Sequence, residues 1–359
     1  MPTSSPDDQV KNVLDPRVSL VTALHSSPGV YALLIGSGVS TGAGIPTGWG
    51  VLRELARKAS IASGVDPQEA ADLEPDAWWA EHGTDQPFGY SALLGALAST
   101  SAARRALLAE FFDATDDDRA NGLKVPGPAH RAIAQLVRRG TIRVILTTNF
   151  DRLLEQALEA EGILPQVIAS SSAIVGMEPL AHARCTVIKL HGDYASLDQL
   201  NTEEELSKYD PELHDLLDRV LDEYGLIVSG WSAEWDTALV SHIESIRSRR
   251  YPLFWVARSG LSDPARRLVA QHRALVIPEA DAETFFPDLI TRLEALERMA
   301  SLPITRSLAI TQVKRLVPDA AKHIELRDLF ESEVARVVTA IQALPGGAPA
   351  DSQGWQGFA

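Results

Sequence analysis

Three short stretches of this chain hold residues that could do chemistry together, and each directly follows an apolar run of strand length. The first is the turn Gly36-Ser37-Gly38-Val39-Ser40, continued by Gly44-Ile45-Pro46-Thr47. A glycine turn between a strand and a helix offers backbone N–H groups that a pyrophosphate can approach without side-chain obstruction. The second is Thr147-Thr148-Asn149-Phe150-Asp151, and the third is Lys189-Leu190-His191-Gly192-Asp193. An asparagine amide donates and accepts hydrogen bonds, which suits sugar hydroxyls or a positioned water. An imidazole titrates near ~6.5 and takes a proton at neutral pH, and a carboxylate orients its neighbours. Each residue also has a plainer use: a turn that needs positive φ, a cap for Asn149, a satisfied loop histidine for His191. Asp151 stands equally well as the N-cap of a helix starting at 152 or as the group that orients the ribose or Asn149.

The elements that must position these residues are readable from hydrophobic patterning. Continuous apolar runs fall at 30–35, 142–148, 185–190, 225–230, 251–257 and 274–278, as expected for strands of a parallel sheet covered on both faces. Between them lie helical patterns such as Leu153, Leu154, Ala157 and Leu158 on one face, stopped at Gly162. This order predicts an α/β fold: a doubly wound, mostly parallel, Rossmann-like sheet with helical insertions and C-terminal helices. A polar N-terminal segment with a short helix covers 1–27, and the sheet domain spans 28–299. Helical, turn-rich sequence at 60–128 reads as an inserted subdomain packed by Trp78 and Trp79, in which the acidic run 116–118 reads as a solvated loop. A second insert, 193–224, opens on a capping box, Thr202 to Glu205. Helices follow over 300–345, then a loose tail at 346–359, and no internal repeat is visible. The C-terminal helices repeat apolar residues at helical spacing, so they form an oligomer interface or simply close one end of the core.

Because ligands dock where parallel strands end, the three stretches are expected on one rim of the sheet. The glycine spacing is not that of a hydride-transfer site, since GxGxxG would put glycine where Thr41 stands, and no GK[ST] follows to make a P-loop. Dinucleotide binding remains the chemistry indicated. The 359 residues carry a formal net charge of -15, which opposes direct contact with a nucleic acid backbone, whose affinity comes from Lys and Arg. One cysteine, Cys185, allows neither an internal disulfide nor a cysteine-based zinc cluster, and it reads as buried and inert. The N-terminal residues lack a signal layout and no apolar run approaches the roughly 20 residues needed to span a bilayer, so a cytoplasmic protein is expected.

In order along 28–290, these motifs resemble those of the sirtuins, a family that cleaves the nicotinamide–ribose bond of NAD. The glycine turn matches the family's GAGxS and GIP, Thr147 to Asp151 matches its TQNxD, and His191-Gly192 matches its catalytic HG. The segment Pro128 to Leu136 resembles the stretch before TQN, in which His130 reads as a structural helix-start residue, and Val228 to Ser232 is similar to the GTS-type loop. The resemblance implies NAD as substrate, held by Gly36, Ser37, Gly38, Ser40, Gly44, Pro46, Thr47, Thr148, Gly230 and Ser232 with Asn149, Asp151 and His191. Of these, Asn149, His191 and Asp151 are the implied catalytic residues. The family's protein deacylases carry a four-cysteine zinc module after HG, and 193–224 holds no cysteine, so no zinc or other metal is expected. Gly48-Trp49 replaces the usual Phe-Arg, and Thr148 the usual Gln. This pattern resembles the zinc-less branch of bacterial anti-phage defence, which implies an NAD glycohydrolase that starves an infected cell. It further implies a homo-oligomer and a partner protein such as an ATPase, helicase or nuclease. Deacylation, ADP-ribosylation and non-catalytic sensing of NAD or ADP-ribose stay as alternatives.

Overall fold

A computed structural model describes residues 14–83, 88–194, 210–247, 250–278, 280–300, 310, 313–314, 316–317 and 323–342. The capping box expected at Thr202 lies outside them, as does the tail at 346–359. The chain divides into one unit ending at Glu294 and a second beginning at Ala295, whose longest described helix is His323–Gln342.

The first unit is built on seven parallel strands: β1 Tyr31–Ile35, β2 Ile142–Thr147, β3 Gln166–Ile168, β4 Thr186–Lys189, β5 Gly225–Ser229, β6 Leu253–Val256 and β7 Leu275–Ile277. Their spatial order is β3-β4-β2-β1-β5-β6-β7. The chain works outward from β1 in one direction through β2 and then in the other from β5. The switch point therefore lies between β1 and β5, where an open α/β sheet forms its crevice.

Both faces of the central strands are covered, which is why their sequences run apolar without alternating. Every residue of β1, β4 and β5 is buried. Ala32, Leu34, Val144, Leu146, Ile188 and Val228 share one core with Leu216, Leu217 and Val220 of helix Pro211–Glu223 and with Leu239, Val240 and Ile243 of helix Thr237–Ser245. Alternate residues such as Leu33, Ile145 and Val187, also buried, point to the opposite face. The six strands expected from the sequence all form, each trimmed by one to three residues. The seventh, β3, was not anticipated, because three edge residues after Pro165, of which only Ile168 is buried, give no apolar run.

Between β1 and β2 the chain is helical: Gly48–Ala62, Pro67–Ala71, Pro75–His82, Tyr90–Leu97, Ser101–Phe112, Asp116–Ala120 and Pro128–Arg138. Trp79 is buried in their own apolar cluster, with Trp78 packed against it. The acidic run at 116–118 forms a helical first turn and not the expected loop. Thr115 and Asp118 close a capping box there, and Lys124 Nζ lies 3.2 Å from Asp118. Three carboxylates are favourable at a helix N-terminus, where the backbone N–H groups leave partial positive charge. Cys185 is buried as expected, and that burial pushes its thiol up to about 12.

Candidate functional site

Strand register brings the three stretches together. Ile35 pairs with Thr147 and with Ser229, and Thr147 pairs with Lys189, so four strands end at one level. Beyond that level the backbone stays stitched: Thr148 N donates to Ile35 O at 3.1 Å, Leu190 N to Thr147 O at 2.9 Å, and Gly36 N to Ser229 O at 3.0 Å. Gly36, Thr148, Leu190 and Gly230 thus leave the sheet side by side, and the residues after them line one rim.

The glycine turn folds into two short 3-10 turns, Ser37–Val39 and Thr41–Ala43, and closes at Gly44 with φ +78. Thr47 Oγ1 then caps the next helix by accepting from Gly50 N. Gly36 and Gly38 are glycine for a reason beyond ligand access. A Cβ on Gly36 would lie 2.5 Å from Gly230 O and 2.7 Å from Trp231 Cα, and one on Gly38 would lie 2.8 Å from Gly230 Cα. Backbone packs on backbone here, with Gly38 N donating to Gly230 O at 2.9 Å and Gly230 itself at φ +67. Gly36→Val is therefore expected to spring the rim apart, costing at least the ~1–3 kcal/mol of an overpacked site. Thermal unfolding of this variant should show a lowered Tm together with lost NAD binding. An unchanged Tm would contradict the close approach.

Four buried polar side chains meet beneath the rim. Ser40 Oγ donates to Asp151 Oδ2 at 2.8 Å, accepts from Asn149 Nδ2 at 3.1 Å and lies 3.2 Å from His130 Nε2. His130 Nδ1 accepts from Gly127 N at 3.2 Å, which leaves the ring proton on Nε2 and makes it a donor to Ser40. The Ser40 hydroxyl has one proton and two lone pairs, and all three are used. Ser40 was expected to donate to phosphate. It is fully buried with its proton committed to Asp151, so it serves instead to hold Asn149 in place.

Asp151 Oδ1 accepts from Leu153 N at 3.0 Å just ahead of helix Leu153–Ala160, whose N-cap is Arg152 and not Asp151, and its link to Asn149 runs through Ser40. Asn149 is 8% exposed, and its Oδ1 is buried with no hydrogen-bond partner in the protein. A buried acceptor left open beside a fully satisfied cluster is where a ligand hydroxyl or a water fits.

Beyond its helix-start role, His130 completes the cluster, a part the sequence did not show. Burial holds its imidazole below the ordinary value, with Asp151 opposing and Arg131 reinforcing. A depressed histidine contributes stability that is fully present above the unfolded value, near ~6.5, and is lost as pH falls toward and through the folded one. The wild type should lose stability on acidification below ~6.5, and His130→Gln should flatten that part of the profile in denaturant titrations. An identical slope in both would remove His130 as its cause.

Lys189 and Asp236 are the other residues that the motif reading passed over. Lys189 Nζ, fully buried, donates to Asp151 O at 2.7 Å, Phe150 O at 3.3 Å, Glu155 Oε1 at 3.0 Å and Asp193 Oδ2 at 3.3 Å. One cation thus ties the Asn149 loop to the His191 loop. Asp236 caps helix Thr237–Ser245 through Oδ1, while its Oδ2 lies 3.0 Å from His191 Nε2.

Of the remaining expected residues, Ser37 and Thr148 are half-buried on the rim, and Gly44, Thr47 and Ser232 are exposed. Ser232 Oγ accepts from Glu234 N at 3.3 Å, so it closes its own turn and keeps its proton to give. Pro46 is half-buried ahead of the cap Thr47. Trp49 stacks on Trp235 at 5.6 Å with 5° between the ring planes, an aromatic pair joining the glycine-turn helix to the loop after β5.

Residues 143–277 match a family model described as a SIR2-like domain. That span contains Asn149, Asp151, His191, Gly230, Ser232 and Asp236, and it begins after the glycine turn. No curated protein matches the chain. Among solved structures, a Sir2 homologue in complex with NAD is 18% identical, with a TM-score of 0.39 over 78% of this chain and 94% of that one. A Sir2 homologue variant in complex with ADP-ribose is 20% identical, with a TM-score of 0.42 over 78% and 97%. A structure described as the basis for the mechanism and regulation of Sir2 enzymes is 17% identical, with a TM-score of 0.42 over 79% and 99%. Among the described residues no helix is long and apolar enough to cross a membrane.

Proposed function

We propose that this protein is an NAD glycohydrolase that cleaves the nicotinamide–ribose bond with water, giving nicotinamide and ADP-ribose. The observation that carries the reading is the open Asn149 Oδ1, held by Ser40 on the rim where His191 stands beside a carboxylate. The match of 143–277 to a SIR2-like domain supports the same chemistry.

The bond breaks through an oxocarbenium-like state, so the site must hold the ribose, admit one water and favour developing positive charge. Asn149 Oδ1 accepts from a ribose hydroxyl or from the attacking water, and its fixed amide sets where that oxygen sits. Asp236 beside Nε2 keeps the His191 proton on that nitrogen and leaves Nδ1 as the base that removes a proton from the hydroxyl or water. The same carboxylate stabilises the imidazolium that results. Gly36, Ser37 and Gly38 supply the turn on which the pyrophosphate rests, near the β1/β5 switch point. Ser232 contributes its free hydroxyl proton from the facing loop.

Water is the acceptor in this reading because 193–224 holds no cysteine with which to build the zinc module of the protein deacylases. The resemblance to the zinc-less defence branch supports NAD depletion during phage infection as its use, restrained in healthy cells by a partner or an assembly change. Incubation of the purified chain with NAD, with and without an acetylated peptide, separates the readings. Nicotinamide and ADP-ribose released at the same rate in both supports hydrolysis. Release only with peptide supports deacylation, and binding without release supports a sensor.

A further inference from the structure

A cluster unrelated to the rim lies where helix Pro211–Glu223 meets helix Thr237–Ser245. His214 and Asp218 stand one turn apart on the first helix, with His214 Nδ1 3.4 Å from Asp218 Oδ2. From the second helix His242 brings Nε2 to 3.0 Å from Asp218 Oδ1. The two imidazoles are 4.4 Å apart at 75°, so they converge on the carboxylate edge-on and do not stack. One ligand atom from each of the three residues lies within 4.8 Å of the others.

An exposed His and Asp one turn apart are ordinary surface residues, and by themselves they would indicate nothing. His242 is different. It is 5% exposed, and its Nε2 is buried without a hydrogen bond of acceptable geometry, although Asp218 lies nearby. A buried ring nitrogen 3.0 Å from a carboxylate oxygen and beside a second imidazole is placed as a metal ligand is placed. Tetrahedral zinc, with bonds of about 2.0–2.1 Å, sets its ligand atoms about 3.3 Å apart. Each imidazole nitrogen lies near that distance from one Asp218 oxygen, His214 Nδ1 at 3.4 Å from Oδ2 and His242 Nε2 at 3.0 Å from Oδ1.

We propose that His214, Asp218 and His242 form a site for one divalent transition-metal ion, with zinc the expected occupant, that clamps these two helices. Two imidazoles and one carboxylate suit borderline ions such as Zn²⁺ and Co²⁺, whereas Mg²⁺ and Ca²⁺ prefer all-oxygen sets. Three protein ligands leave a fourth position for water. The absence of cysteine from 193–224 had pointed to no metal. The signal was present as His-x-x-x-Asp at 214–218, but its third ligand comes from another helix. The site is independent of the NAD reading.

The test uses untagged full-length protein, stripped with a chelator and dialysed, then titrated with Co²⁺ by visible absorption and with Zn²⁺ by calorimetry. One equivalent should bind, giving the intense d–d bands of a four-coordinate Co²⁺ site that Zn²⁺ bleaches. His214→Ala and Asp218→Asn alter exposed residues that the core does not need. Each should abolish the bands and weaken Zn²⁺ by more than the ~10–100-fold typical of losing an outer-shell partner. His242→Ala should do the same, with near-UV circular dichroism reporting that the fold persists. Absence of saturable binding in the wild type would overturn the proposal, as would one-equivalent binding retained in His214→Ala or Asp218→Asn.

Discussion

His191→Ala and Asn149→Ala should each lower NAD turnover by roughly 10²-fold or more while NAD still binds, because both residues act on the transition state more than on the bound ground state. The structure sharpens this expectation by giving each residue a supporting group. Asp236→Asn removes the charge beside His191 Nε2 but keeps the shape of the side chain, and its amide can still cap the helix. It should therefore reduce kcat far more than it changes KM, since the imidazolium formed during the reaction loses its carboxylate. A merely structural Asp236 would leave kcat unchanged in the folded variant. Ser40→Ala should act through Asn149, freeing its amide and leaving Asp151 and His130 without their shared partner. If the His191 variant turned over NAD at the normal rate, the base would have to be sought elsewhere. If it stayed folded but failed to bind, His191 would be a binding residue and the sensor reading would gain.

Lys189→Met should be the most destabilising single change on the rim, by about 3–5 kcal/mol, the usual cost of breaking a buried ion pair from one side. The ammonium is fully buried against Glu155 and Asp193 and holds two loop carbonyls, so its removal strands charge and leaves acceptors open. Glu155 already sits above the ordinary carboxyl value because of burial, with Lys189 pulling it down. Without Lys189 that opposing pull vanishes. A carboxyl raised in the folded state contributes stability below its unfolded pKa and loses it as pH rises through the folded one. The variant should therefore regain part of its stability on acidification, whereas Lys189→Met with Glu155→Gln should recover stability already at neutral pH and lose that dependence. Denaturant midpoints across pH would show this, and a Lys189→Met midpoint equal to the wild type would refute the tie.

The sheet and its rim were legible because buried parallel strands leave continuous apolar runs, and because chemistry-bearing residues sit directly after them. Asn149 and His191 could be placed together from that rule alone. What failed to show was everything that depends on pairs distant in sequence. Ser40 meets His130 across 90 positions and Asp151 across 111, so nothing local distinguished a buried hub from a phosphate donor. Lys189 lay inside the expected strand 185–190, and nothing near Asp236 in sequence pointed to its contact with His191, 45 positions away. The acidic run at 116–118 was misread for a different reason, because composition suggested solvent while Thr115 and Asp118 supplied a helix start.

The central claim is that the rim built around Asn149 and His191 breaks the nicotinamide–ribose bond and hands the ribose to water. Its most direct test is a chromatographic time course of NAD with purified protein and no acceptor peptide, run beside Asn149→Ala under matched conditions. The account predicts nicotinamide and ADP-ribose appearing one for one with the wild type, and a loss of roughly 10²-fold or more in the variant, which still binds NAD. NAD left intact by the wild type, or cleaved equally fast by both proteins, would contradict it.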